Sequence, residues 1–175
     1  MEAMQKIKCL TIEDSNFPDR LRKLSGMPKK LYYIGNLPDP KKPAAAVVGA
    51  RMCSPYGRCQ AFKYARTMAS YGVQIISGMA RGIDAEGHKG ALDTDTPTFA
   101  VLGSGVDVCY PNSNRWLYQR ILEKGGGIIS ELPPGSPPVN WAFPARNRII
   151  SGLSDGILVI EAGQKSGSLI TAELG

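Results

Sequence analysis

The run Ala44-Ala45-Ala46-Val47-Val48-Gly49-Ala50-Arg51 joins a short apolar segment to a small-residue loop that ends in a cation. Related runs follow at Ile75-Ile76-Ser77-Gly78-Met79-Ala80-Arg81, Ala100-Val101-Leu102-Gly103-Ser104-Gly105, Ile128-Ile129-Ser130-Glu131 and Leu158-Val159-Ile160-Glu161-Ala162-Gly163. Short apolar runs bounded by turn residues suit strands buried on both faces, and helix-period segments lie between them. Residues 56–71 read as a helix stopped by Gly72, residues 84–92 as a short helix with Asp84 near its start, and residues 114–124 as a helix ended by Gly125-Gly126-Gly127. A helix over residues 143–153 carries Arg146 and Arg148, and another begins near Ser168. This alternation predicts a Rossmann-like α/β fold, a doubly wound, mainly parallel sheet with helices on both faces and right-handed crossovers. Its strand-end loops gather on the carboxyl edge, where ligands bind.

Outside this alternation, residues 1–43 are Lys-rich and interrupted by Pro18, Pro28, Pro38, Pro40 and Pro43. They read as an N-terminal extension packed on, or leading into, a main domain over residues 44–175. Within the extension, residues 19–24 suit a turn or two of helix, and residues 30–34 a short strand turned by Gly35-Asn36. A chain of 175 residues, 43% hydrophobic, can bury one ordinary core. Its formal charge of +6 is compatible with an acidic polymer as partner. The four cysteines show no C-x-x-C spacing and His88 is the only histidine, so neither a zinc site nor a haem attachment is supported. No apolar run approaches the roughly 18 residues of a membrane span, and the chain reads as cytoplasmic.

Three cofactor or catalytic motifs fail on inspection. Gly103-Ser104-Gly105 begins like a dinucleotide fingerprint but lacks the third glycine and the helix that must follow at once. No G-x-x-x-x-G-K-[ST] segment supplies the lysine and hydroxyl of a P-loop. Gly152-Leu153-Ser154-Asp155-Gly156 matches G-x-S-x-G but precedes a strand, whereas a nucleophile elbow follows one. Asp84, Glu131 and Glu161 lie near strand ends and could act as acid or base toward a nucleotide, or simply cap loops. No triad can be assembled around His88, which reads as a surface or packing residue.

The basic residues carry the stronger signal. Arg51 and Arg81 directly follow strands, and Lys165 lies in Gly163-Gln164-Lys165-Ser166-Gly167-Ser168, a polar loop ahead of a helix. Gly49, Ser77, Gly78, Gly103, Gly105, Ser166, Gly167 and Ser168 offer backbone N–H groups at the same edge, where helix starts favour anions. Arg146 and Arg148, two residues apart, diverge if their segment is helical, so at least one can be structural. Tyr56, Tyr110, Trp141 and Phe143 lie beside these loops and could stack on bases or pack internally.

Taken in order, Val48-Gly49-Ala50-Arg51, Ser77-Gly78-Met79-Ala80-Arg81-Gly82-Ile83-Asp84, residues 100–107, Tyr110-Pro111, Phe143-Pro144-Ala145-Arg146-Asn147-Arg148-Ile149-Ile150-Ser151 and Ser166-Gly167-Ser168-Leu169-Ile170-Thr171 resemble the DprA family, also called Smf, of bacterial DNA-processing proteins. The resemblance implies a Rossmann-like domain, ending here short of its C-terminal part, that binds single-stranded DNA without being an enzyme and uses no cofactor. It further implies a role in natural transformation, with the RecA recombinase and a second copy of the chain as partners. The family's Gly-Ser/Thr-Arg motif appears as Gly49-Ala50-Arg51, with Ala in the middle. Asn112 stands where many relatives place a basic residue after Tyr-Pro. The rival reading is a nucleotide-binding or nucleotide-hydrolysing, phosphoribohydrolase-like enzyme, whose P-G-G-x-G-T-x-x-E pattern is missing at residues 161–169.

Overall fold

A computed structural model of the protein describes residues 6–24 and 26–163. Strands β1 (Lys8–Thr11) and β2 (Lys30–Gly35) flank helix α1 (Asp19–Arg22). The alternating part follows as β3 (Ala44–Gly49), α2 (Pro55–Ser70), β4 (Gln74–Ser77), α3 (Ile83–Leu92), β5 (Thr98–Val101), α4 (Arg115–Glu123), β6 (Gly127–Ser130), α5 (Ala142–Gly152) and β7 (Gly156–Ile160). A 3₁₀ turn, Asn112–Asn114, leads into α4. The strands form one seven-stranded sheet in the order β1-β2-β6-β5-β4-β3-β7. Pairings from β6 through β7 are parallel, and β1 and β2 join antiparallel at the β6 side. The Rossmann-like, mainly parallel sheet is therefore the observed architecture.

Strand β1 has no counterpart in the sequence reading. Its residues are half-exposed at a sheet edge, and Lys8-Cys9-Leu10-Thr11 carries little apolar patterning. Pairing with β2, from Lys8 opposite Tyr33 to Thr11 opposite Lys30, makes it a strand.

The period-2 alternation of strands divides the core into two faces. Ala46, Val48, Ile76, Phe99, Val101 and Ile129 face one side, where Phe17, Leu21, Ile149, Ile150 and Leu153 cover them. Val47 and Ile75 point the other way, onto Ala61, Ala65 and Ala69 of α2, while Ala100 and Ile128 meet Leu117 and Ile121 of α4. Small residues bring α2 and α3 into close contact: a Cβ on Gly90 would run into the Phe62 carbonyl. Thus α1 and α5 lie on one face of the sheet, and α2, α3 and α4 on the other.

Successive strands run from β3 outward through β4, β5 and β6, and β7 returns to the opposite side of β3. This reversal opens a crevice beyond the carboxyl ends of β3 and β7, the place where doubly wound sheets bind ligands. Gly49 closes that point tightly, since a Cβ there would collide with the Ile160 carbonyl and the Ile83 side chain.

Candidate nucleic-acid interface

The loops after β3 and β4 are fastened together. Ile83 N–H donates to the Ala50 carbonyl at 3.2 Å, and Gly82, at φ +77°, lies against the carbonyls of Ala50 and Arg51. That conformation and that approach both favour glycine. Met79 is held at φ 62°, and Asn114 donates through Nδ2 to its carbonyl at 2.8 Å. A strained backbone of this kind persists only where surrounding contacts enforce it. The consequence is that Arg51 and Arg81, both exposed, stand on one rim.

Between them lies an open groove of ≈ 640 Å³. Among the described residues, Arg51, Arg58, Arg81 and Lys89 line it, and Glu86 is the single carboxylate. Glu86 accepts an ion-paired hydrogen bond from Lys89 at 2.7 Å. Phe143 borders the same rim: the Arg51 guanidinium sits 5.2 Å from its ring centroid and Tyr110 packs at 5.5 Å. The sequence reading missed Arg58 and Lys89. They sit inside helices, where a lone cation resembles any solvated position, and only the packing of α2 on α3 brings both to the groove.

Under the rim the chemistry is internal. Arg146, expected on phosphate, is only 5% exposed. It donates to the carbonyls of Gly78, at 2.6 Å, and Val101, and to Asn147 Oδ1 at 2.9 Å. Gly78 has no room for a Cβ because that guanidinium lies against it. Burial pushes Arg146 down to about 10, against the pull of Asp84, so it remains charged at neutral pH. Asp84 is also buried and accepts from Gly78 N–H at 3.0 Å rather than capping α3, whose N-cap is Gly82. Burial pushes its carboxyl up, while Arg146 and the N–H groups of Gly78 and Ala80 oppose that shift.

Other expected contacts are drawn inward too. Ser77 is fully buried and its hydroxyl donates to the Val47 carbonyl at 2.6 Å. Gly103 is buried where a Cβ would press on the Phe143 ring, and Gly105 where one would press on Asp107 and the Pro133 carbonyl. Arg148 diverges from Arg146, as an i, i+2 spacing on a helix requires. It binds both oxygens of Glu131 at 2.7 Å and the Gly26 carbonyl at 2.8 Å. Lys165, Ser166, Gly167 and Ser168 lie outside the described residues.

The carboxylates of the hydrolase reading have structural partners. Glu131 is held by Arg148. Glu161 accepts from Ser54 N–H at 2.7 Å and from the Ser54 hydroxyl, tying the end of β7 to the start of α2. These bonds hold its carboxyl below the usual range. His88 is fully buried. Its Nδ1 lies 2.8 Å from Thr98 Oγ1, which itself donates to the Ile75 carbonyl at 2.7 Å. The network therefore assigns the ring proton to Nδ1. Burial pushes the imidazole down to about 3, so it is neutral. Among the described residues no group of three metal-ligating side chains occurs, and no helix is long and apolar enough to cross a membrane.

Comparison with known proteins gives this arrangement its relatives. The family described as DNA recombination-mediator protein A matches residues 8–175. This chain belongs to that family, the DprA/Smf proteins. It is 43% identical over 169 residues to DNA processing protein DprA of Streptococcus pneumoniae, covering 97% of this chain and 59% of the relative. It is 44% identical over 160 residues to Protein Smf of Escherichia coli, covering 91% and 43% respectively. The chain spans about half the length of the curated relatives it matches. The crystal structure of S. pneumoniae DprA superposes with a TM-score of 0.89 at 42% identity, over 97% of this chain and 59% of that one. DNA processing protein A of Helicobacter pylori, whose structure concerns a single-stranded DNA binding mode, gives 0.85 at 32% identity, over 99% and 78%.

Proposed function

We propose that this chain is a DprA/Smf DNA-processing module that binds single-stranded DNA as an accessory protein rather than as an enzyme. The observation that carries the reading is the groove at the carboxyl edge, with four cationic side chains against one carboxylate and Phe143 and Tyr110 at its rim. Arg51, Arg58 and Arg81 are the phosphate ligands, spread over two loops and a helix as an extended backbone needs. Gly49, Ser77, Gly78, Gly103, Gly105, Arg146 and Arg148 hold the loops in shape beneath those arginines. Lys165, Ser166, Gly167 and Ser168 belong to the same edge by sequence.

The H. pylori relative supports DNA in single-stranded form, and the family's description supports a place in recombination. On the family's pattern the chain works in the cytoplasm during natural transformation, hands DNA to the RecA recombinase and pairs with a second copy of itself. The deciding experiment is fluorescence anisotropy of single-stranded against duplex DNA across a salt series. Tight binding of the single strand, falling with salt by about 0.7 logarithmic units per phosphate neutralised, is expected. Arg51→Ala and Arg81→Ala should each weaken binding and flatten that slope by somewhat less than one unit. Equal binding of duplex, or slopes untouched by both changes, would remove the proposal.

A further inference from the structure

We propose that Trp116, steadied by Lys89, is a base-stacking station for the strand, so that unpaired DNA crosses the carboxyl edge of the sheet from the Phe143 rim to the start of α4. The inference rests on the single-stranded DNA reading above. Four observations carry it. Trp116 is 52% exposed although its neighbour Leu117 is fully buried. The buried contacts of α4 come from Leu117 and Ile121, so the fold does not use the indole as core. Lys89, which lines the groove, places its ammonium 5.7 Å from the indole centroid. That ammonium is already paired with Glu86 at 2.7 Å, which leaves it a weak phosphate ligand and a good support for a ring.

The second aromatic pair has the same composition and comes from the opposite face of the sheet. Phe143 belongs to α5 and carries Arg51 at 5.2 Å, whereas Trp116 belongs to α4 and carries Lys89. Arg51 and Lys89 line one continuous groove, with Arg58 and Arg81 also on its wall. Two aromatic stations on a cationic track are what a flexible single strand can use, because every base has a stacking face and in a duplex the neighbouring base pairs cover it. The Trp116 end therefore reads bases, and the arginines read phosphates.

This division of labour sets the test. The full chain and its Trp116→Ala, Trp116→Phe and Arg51→Ala variants are titrated with labelled oligo-thymidine and with an abasic strand of equal length, across a salt series. Trp116→Ala should weaken oligo-thymidine binding about tenfold with an unchanged salt slope, Trp116→Phe should stay within about twofold, and neither should alter binding of the abasic strand. Arg51→Ala should weaken both strands and flatten the slope. Trp116→Ala binding oligo-thymidine as the parent does, while Arg51→Ala weakens it, overturns the station and leaves the parent reading standing. Equal losses on both strands with Trp116→Ala assign the indole to the fold and also overturn it. If neither variant changes any affinity, the station and the parent reading fall together.

Discussion

Arg51 and Arg146 share one aromatic ring, at 5.2 and 5.9 Å from the Phe143 centroid, yet they belong to different regions of the molecule. Arg51 is exposed on the groove rim, while Arg146 is 5% exposed in the floor beneath it. Among the described residues Arg51 and Arg81 form no ion pair, and so their charge can meet an external anion. The floor has charge already answered by strand-end carbonyls and by Asp84. One residue type thus builds the edge and also serves it, and burial decides which.

The largest test of that comparison is Arg146→Ala. Removing the guanidinium leaves the Gly78 and Val101 carbonyls and the Asp84 carboxylate buried without it, which should cost about 3–5 kcal/mol in urea denaturation. A loss of under about 1 kcal/mol would place Arg146 with the rim instead. Arg146→Lys should not restore the parent, because a single ammonium cannot reproduce the guanidinium fork.

The buried histidine sharpens the same contrast through pH. His88 is neutral when folded, held down to about 3, but takes a proton near its ordinary 6.5 when unfolded. The unfolded state therefore binds the extra proton between these values. Its contribution is fully present above pH 6.5 and is lost as pH falls toward 3, by up to about 1.4 kcal/mol per pH unit. Because this is the only histidine in the chain, His88→Gln should remove that share of the slope from a series of denaturation curves between pH 5 and 7. An unchanged slope would mean that the ring is not closed off from water.

Arg148 occupies the middle ground, 24% exposed against 20% for its partner Glu131. Arg148→Ala should cost about 1–2 kcal/mol of stability, since the pair is partly solvated but bound through both oxygens. Glu131→Gln should cost less than that and leave single-stranded DNA binding intact. Loss of binding without loss of stability would move this pair into the interface. The smallest effect on the fold belongs to Arg51→Ala and Arg81→Ala, which should change stability by no more than about 0.5 kcal/mol. Their effect should appear in DNA affinity and its salt dependence. A destabilisation matching that of Arg146→Ala would erase the distinction between rim and floor.

The alternation of apolar runs and helix-period segments was readable because the central strands β4, β5 and β6 are buried along their whole length and small-residue loops follow them. The same loops gave Arg51, two residues past the end of β3, and Arg81, four past the end of β4, and both are exposed. Strand β1 was not readable, since an edge strand needs no apolar pattern and exists through its partner. Neither were Arg58, Lys89 and Trp116. Their positions on helices carry no local signature, and packing of the helices on the sheet is what brings Arg58 and Lys89 to the groove and Trp116 beside Lys89.

The sequence by itself determined the wound sheet and the basic residues on the loops at its carboxyl edge. Those properties follow from local pattern and composition, which act at short range along the chain. The tertiary structure alone decided which cations remain free. The Arg146 guanidinium reaches carbonyls 68 and 45 residues away, and Arg148 reaches a carboxylate 17 residues away. A charge is committed or available according to what folding brings beside it, and no spacing in the sequence records that.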